Sequence, residues 1–285
     1  MEQIFIDLYE KYAHGTLNRR EFLKRLTVLA GSTTAAVTLL PLLQKSFIQA
    51  QVVPEKDPRL VTEDVTYPAQ SGPMKAYFSR PKGDEKFPGV IVIHENRGLN
   101  PHTEDVARRV ALEGFISIAP DALSPLGGTP EDVDEARTLM GKLDGPTTIN
   151  NFVAAVQYLK THPQSTGKVA CMGFCWGGRM TNQVAVNAPD LTAAVPFYGS
   201  QPTAEDVPKI KASLLCHYGG SDTRINAGIE AFEAALTKAS VEHQMFVYEG
   251  AGHAFFNDTG SRYHKEAAAL AWSRTIEFFK QKLKT

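Results

Sequence analysis

A thiol stands among glycines in Gly173-Phe174-Cys175-Trp176-Gly177-Gly178, at the point where a β-strand hands over to a helix. Residues 167–172 form an apolar run that predicts the strand, and residues 178–186 carry the spacing of a helix. Strand, sharp turn and helix together are the context of a nucleophile elbow, with cysteine where a serine is common. The glycines answer a steric need, because a Cβ beside so strained a residue keeps the helix from closing on the strand. Such a bend belongs to an α/β fold with a mostly parallel sheet and helices on its faces.

A helix N-terminus favours a thiolate by about 0.3–1 kcal/mol, whereas one pKa unit is worth about 1.4 kcal/mol. The helix alone does not activate Cys175, which needs a base and a group to orient that base. In this kind of fold the chain order is nucleophile, acid, histidine. A strand predicted at 213–218 leads into Gly219-Gly220-Ser221-Asp222, and one at 244–248 into Glu249-Gly250-Ala251-Gly252-His253-Ala254-Phe255. Asp222 is the candidate acid and His253 the candidate base. Taken singly, each residue also reads as something plainer: a small buried hydrophobe, a turn former, a surface histidine. Three types in this order, each at a strand end beside glycine, make the joint pattern the stronger reading.

With these residues in view, the chain resembles the dienelactone hydrolase family, the cysteine branch of the α/β-hydrolases. The resemblance is carried by the elbow, by Gly219-Gly220-Ser221-Asp222, by Gly252-His253-Ala254-Phe255 and by Val90-Ile91-Val92-Ile93-His94-Glu95-Asn96-Arg97-Gly98, and spans the chain from about residue 60 onward. It implies that Glu95 pairs with the resting thiol and takes its proton once substrate displaces the carboxylate. A carboxylate beside a thiol holds it neutral, and a neutral thiol is shielded from oxidation. The plain alternative for Glu95 is a solvated loop carboxylate. Acyl transfer also needs donors aimed at the developing oxyanion, and the backbone N–H groups of Trp176 and Asn96 are the candidates.

Two departures from the family pattern bear on substrate. Members hold a dienelactone carboxylate with one arginine in the loop after the strand that is here Ile116-Ser117-Ile118-Ala119-Pro120 and another shortly after the catalytic histidine. Asp121-Ala122-Leu123-Ser124-Pro125-Leu126-Gly127-Gly128 and Phe255-Phe256-Asn257-Asp258 contain no arginine. A guanidinium fork is the usual carboxylate holder, so dienelactone itself is the weaker expectation. Arg97 and Arg224 are candidate replacements, against a reading as surface cations. Trp176, Tyr198 and Phe255 are candidate pocket aromatics, against a reading as core packing.

Alternation continues along the chain. Strands are predicted at 89–94, 115–119 and 193–198, and helices at 103–113, 147–159, 225–238 and 263–283. A short antiparallel pair, 64–67 with 74–79, is joined through Gln70-Ser71-Gly72-Pro73. Residues 121–144 are the longest irregular connection, with Thr129-Pro130-Glu131 opening a helix, and are a candidate lid over the pocket.

Thirty basic and 31 acidic residues in 285 leave a net charge of -1 with no basic stripe, which predicts no particular affinity for polyanions, and no nucleic-acid partner is expected. Three cysteines make no disulfide framework, and Cys171 and Cys216 fall within apolar strands. Histidine and cysteine spacings match no metal site, so neither metal nor cofactor is expected.

Residues 1–52 stand apart from the domain expected over 53–285. Asn18-Arg19-Arg20-Glu21-Phe22-Leu23-Lys24 precedes a mainly apolar run over 26–43, which resembles a twin-arginine export signal and implies a periplasmic destination. Ile48-Gln49-Ala50 is the candidate cleavage site, although Ile48 is large for one. Competing readings are an uncleaved membrane anchor, an N-terminal helix packed on the domain, and an unused relic in a cytoplasmic protein. Residues 1–17 are acidic for a signal and carry Ile4, Leu8 and Tyr12 at helical spacing. Any membrane contact is expected through this segment alone, if it is retained.

The expected activity is cleavage of a small ester or lactone through a thioester on Cys175. The rivals are a broad carboxylesterase or thioesterase, and a non-catalytic binding protein on the same fold.

Overall fold

The structure, a computed structural model, describes residues 3–13, 17–48 and 51–284. Three helices open the chain: α1 (Gln3–Ala13), α2 (Arg19–Ala30) and α3 (Thr33–Ile48). The domain follows with β1 (Leu60–Ala69), β2 (Gly72–Pro81), β3 (Phe87–Ile93), α4 (Pro101–Leu112), β4 (Ile116–Pro120), α5 (Val133–Met140) and α6 (Gly145–Thr161). It continues with β5 (Ser165–Phe174), α7 (Trp176–Asn187), β6 (Ala193–Phe197), β7 (Ser213–Gly219), α8 (Thr223–Asn226), α9 (Ile229–Lys238), β8 (His243–Tyr248) and α10 (Lys265–Leu283).

The eight strands form one sheet in the order β1-β2-β4-β3-β5-β6-β7-β8. β1 and β2 are antiparallel, β2 meets β4 antiparallel, and every pair from β4 to β8 is parallel. From β3 the chain adds β4 on one side and then β5 on the other. The carboxyl ends of β3 and β5 therefore border a topological switch point, the crevice where open α/β sheets bind ligands.

Parallel strands covered on both faces read as unbroken apolar runs, and Val90–Ile93 and residues 169–172 are buried throughout. Alternate residues face opposite layers. Ile91, Ile93, Val169 and Cys171 share a core with Phe152 and Val156 of α6 and Val184 of α7. Val90, Val92, Ala170 and Met172 share the other with Val106 and Val110 of α4 and Phe279 of α10. Side-chain caps set the helix starts. Asn100 accepts from Thr103 N–H ahead of α4, Asp144 from Thr147 N–H ahead of α6, and His264 from Ala267 N–H ahead of α10.

Several boundaries differ from the sequence expectation for local reasons. The antiparallel pair grows to ten residues per strand, with Ala69 opposite Gly72. The helix expected over 225–238 is broken into α8 and α9 at Ala227 and Gly228, where Gln201 Nε2 donates to Ile225 O. The helix expected to open at Thr129-Pro130-Glu131 begins at Val133, because Asp132 supplies the capping oxygen for the N–H groups of Asp134 and Glu135. The candidate lid is stitched down: Asp121 accepts from Leu123 N–H and from both N–H and hydroxyl of Thr129, and Thr129 Oγ1 accepts from Leu99 N–H at 3.0 Å.

The apolar run over 26–43 is two helices, not one. Gly31 ends α2 at φ 77, and Ser32 Oγ accepts from Ala35 N–H to start α3. Among the described residues no helix is long and apolar enough to cross a membrane. Phe22 and Leu26 are buried with Leu8, Tyr9 and Tyr12, and Phe22 stacks on Tyr12 with ring centroids 4.5 Å apart. This helical cluster reaches the domain through Val133 of α5 and through Arg19, which pairs with Asp132 and donates its N–H to Asp134. Gln49 and Ala50 of the candidate cleavage site, and residues 1, 2 and 14–16 of the N-terminal stretch, lie outside the described residues.

Candidate active site

Cys175 sits between β5 and α7 with φ 57 and ψ -110, a conformation that L residues rarely adopt. Its N–H donates to Phe197 O and its carbonyl accepts from Arg179 N–H, both at 3.0 Å, so the bend is held from each side. The glycine requirement is steric: a Cβ at Gly177 would collide with the carbonyls of Ile93 and His94, and one at Gly173 with the carbonyl of Gly177. The helix thus packs directly on the ends of β3 and β5.

Asp222 follows β7 and caps α8, where Oδ1 accepts from Ile225 N–H at 3.4 Å. His253 lies in the loop after β8. Backbone bonds from Gly220 N–H to Tyr248 O at 2.7 Å and from Ser221 N–H to Ala251 O at 2.9 Å lace these two loops together. The result is a continuous line of side chains. His253 Nδ1 is 2.5 Å from Asp222 Oδ2, and His253 Nε2 is 3.0 Å from Cys175 Sγ. With the acceptor carboxylate at Nδ1, the ring carries its proton there and presents the Nε2 lone pair to the thiol.

Burial, joined by the nearby Glu95 carboxylate, pushes the Cys175 thiol up to about 12. The Trp176 N–H and the guanidinium groups of Arg262 and Arg224 oppose this and are outweighed. The helix N-terminus therefore leaves the resting thiol neutral, and Cys175 is only partly exposed.

Glu95, at the end of β3, accepts from Asn257 Nδ2 at Oε2 (3.0 Å), while Oε1 is buried without a partner. The thiol's side-chain partner here is His253, not Glu95. His94 anchors this loop from beneath. Its Nε2 accepts from Ala122 N–H at 3.1 Å, which leaves Nδ1 to donate to Glu95 O at 2.6 Å, and its ring stacks on Trp176. Full burial lowers the His94 pKa, consistent with a neutral ring in that bridge.

The candidate substrate contacts divide. Arg224 is exposed beside Asp222 and close enough to act on the thiol. Arg97 is 8% exposed, and its Nη1 donates to Tyr12 O on α1 at 3.4 Å, so it faces the N-terminal helices and is corrected from a pocket cation to a covered one. Phe255 is fully buried against Tyr198 and Tyr248 and is core, not pocket lining. Tyr198 is also fully buried, with its ring edge-on to His253 at 5.1 Å, and so packs beneath that imidazole. Trp176 and Asn96 occupy the helix start and the loop after β3 that the oxyanion reading needs. Sequence reading missed His94, Asn257 and Arg262. Arg262 lies nine residues past His253, beyond Phe255-Phe256-Asn257-Asp258, and only the fold returns it toward the thiol.

Comparison with known proteins agrees with this architecture. The pattern of the Dienelactone hydrolase family matches residues 74–283, and that of a YqhI-like family matches residues 1–31. An Escherichia coli (strain K12) protein named "Putative carboxymethylenebutenolidase" is 34% identical over 250 residues, covering 82% of this chain and 92% of its own. A protein of the same name from Methylorubrum extorquens is 30% identical over 290 residues, covering 96% of this chain and 97% of its own. The crystal structure of a "Dienelactone Hydrolase-like Promiscuous Phospotriesterase" from metagenomic libraries superposes with a TM-score of 0.71 at 26% identity, covering 79% of this chain and 99% of that one. With its family pattern matched from β2 to the end of α10, the chain belongs to the dienelactone hydrolase family and is a hydrolase acting on ester bonds.

Proposed function

We propose that the protein hydrolyses a small ester or lactone through an acyl-thioester on Cys175. The observation that carries this reading is the line Asp222 Oδ2, His253, Cys175 Sγ, with contacts of 2.5 and 3.0 Å between side chains from three strand ends. In the attack the S–H proton passes to a base, the S–C bond forms and the carbonyl oxygen becomes an oxyanion facing the N–H groups of Trp176 and Asn96. Each such donor contributes about 3–4 kcal/mol in the transition state. Collapse breaks the C–O bond, and the leaving alkoxide takes up the proton that the thiol gave to Glu95, handed on through His253 Nε2. Water then attacks the thioester, giving its proton to His253, and the acid leaves as the thiol is restored.

A thiol neutral at rest bears on how attack begins. Loss of its proton is coupled to substrate arrival, when water is excluded and the oxyanion donors are engaged. Glu95 is read as the carboxylate that holds the thiol neutral and then accepts its proton, a role supported by its field on the sulfur. Two cations, Arg224 and Arg262, flank the thiol and favour substrates bearing an anionic group. Turnover of a panel of lactones and aryl esters by the intact protein and by Cys175→Ala tests the reading. Wild-type rates in the alanine variant would remove it.

For residues 1–52 we propose a twin-arginine export signal, on the strength of Arg19, Arg20, Phe22, Leu23 and Lys24 in register. Fractionation of cells carrying R19K/R20K tests this. A periplasmic pool that persists in the double-lysine variant, or a cytoplasmic wild type, would overturn it.

A further inference from the structure

The loop that carries His253 also supplies the donor for Glu95. Asn257 is 3% exposed, and its orientation is settled by its own neighbours. Its Oδ1 accepts from Thr259 N–H at 3.1 Å and from Thr259 Oγ1 at 2.6 Å, and its N–H donates to Ala254 O at 3.1 Å. With the carbonyl end committed twice, the amide nitrogen points at Glu95, where Nδ2 donates to Oε2 at 3.0 Å. The second carboxylate oxygen, Oε1, is buried and bare. The charged and titratable groups around this carboxylate are Arg97 on its own loop, His94 beneath it, and Tyr198 and Cys175 from the strands opposite. The thiol in turn faces His253 with Asp222, and Arg224 and Arg262.

We propose that Asn257 is a positioning residue that anchors Glu95 by one oxygen, leaving the other oxygen free toward the nucleophile's proton. The proposal rests on the reading of Cys175 as nucleophile. A hydrogen bond given to a carboxylate favours its charged form. A neutral amide, unlike a guanidinium, does so without cancelling the charge, so the field of Glu95 on the thiol stays undiminished. In the proton step the S–H bond breaks and an O–H bond forms at Oε1, giving thiolate and neutral acid, while Asn257 keeps its bond to Oε2 throughout. One loop thereby supplies the base and fixes the position of the carboxylate.

The test uses the full chain and a double-mutant cycle. Asn257→Ser keeps an oxygen for the local turn to Thr259 but is too short to reach Glu95. Asn257→Leu removes donor and turn together and serves as the second variant. Each is combined with Glu95→Gln, and iodoacetamide alkylation of Cys175 is followed by mass spectrometry from pH 6 to 10, with p-nitrophenyl acetate turnover alongside. Loss of the donor should let Glu95 turn away from the thiol, weaken its field there and speed alkylation at pH 8 by about tenfold. In the Glu95→Gln background the same changes should shift it by less than about twofold. Equal acceleration in both backgrounds, no change, or slower alkylation would overturn the role of Asn257. If turnover stays dependent on Cys175 in those cases, the nucleophile reading survives; wild-type turnover by Cys175→Ala would overturn both.

Discussion

His102 Nδ1 faces Asp258 Oδ1 across 3.0 Å, joining the first turn of α4 to the loop that follows His253. Arg109 completes the cluster by reaching Asp258 Oδ2 at 2.5 Å and Asp105 on its own helix. Burial alone would raise the Asp258 carboxyl, but His102 and Arg109 outweigh it and hold the pKa below the ordinary value of 3.8. A carboxylate depressed in the folded state stabilises above its unfolded pKa and loses that contribution as pH falls through the folded one. Asp258→Asn is therefore expected to cost about 3 kcal/mol at pH 7, the scale for breaking a buried pair, and less at pH 3. Urea midpoints at the two pH values check this, and an equal loss at both would count against it.

The charge of Glu95 is expected to be felt by the thiol and by turnover in opposite directions. Glu95→Gln removes a like charge from beside a forming thiolate, so alkylation of Cys175 at fixed pH should rise about tenfold or more. Ester turnover should fall, because the proposed proton acceptor is gone. Pre-steady-state acylation and alkylation rates measured on the same preparation decide the matter. A carboxylate that merely decorates the loop would leave both unchanged.

Gly177→Ala is expected to damage the fold, not only the chemistry. The added methyl would meet the backbone carbonyls of Ile93 and His94, which cannot rotate away as a side chain would. Overpacking of this kind costs about 1–3 kcal/mol or more. Thermal unfolding should move down by about 2–4 °C for each kcal/mol lost. An unshifted midpoint would mean that α7 can retreat from β3 freely.

The N-terminal helices are expected to be separable at a particular residue. Val52 and Val53 give their N–H groups to Asp105 at 3.2 and 2.8 Å, and Val53 O accepts from Arg108 Nε at 2.9 Å. Removing residues 1–50 breaks the pairing of Arg19 with Asp132 and uncovers Val133, a loss of about 1 kcal/mol. Removing residues 1–53 also strips partners from two almost fully buried charged side chains, Asp105 and Arg108, at about 1–3 kcal/mol each. Denaturant midpoints of the two truncations should differ accordingly, and identical midpoints would refute the boundary.

Much of the architecture was legible in the amino-acid order because its signals are local. The strand ending in Gly173 and the helix beginning beside Gly177 announce themselves by periodicity, and Asp222 and His253 stand at strand ends marked by glycine. The runs that were misjudged failed where a tertiary partner intervened. Gln201 takes the carbonyl of Ile225 where the helix expected over 225–238 breaks, and Gly31 divides an apolar stretch that looks continuous on composition alone.

The chain order of Cys175, Asp222 and His253, with the strands that carry them, was determined by the sequence itself, because each depends on neighbours a few residues away. The state of the site was decided by the tertiary structure. Whether the thiol is neutral, which oxygen of Glu95 is anchored, that Arg97 is covered and that Arg262 returns to the sulfur all depend on burial and on through-space distance. The sheet order brings the ends of β3, β5, β7 and β8 to one edge, and a charge is felt across a few ångströms of low-dielectric protein however many residues separate the partners along the chain.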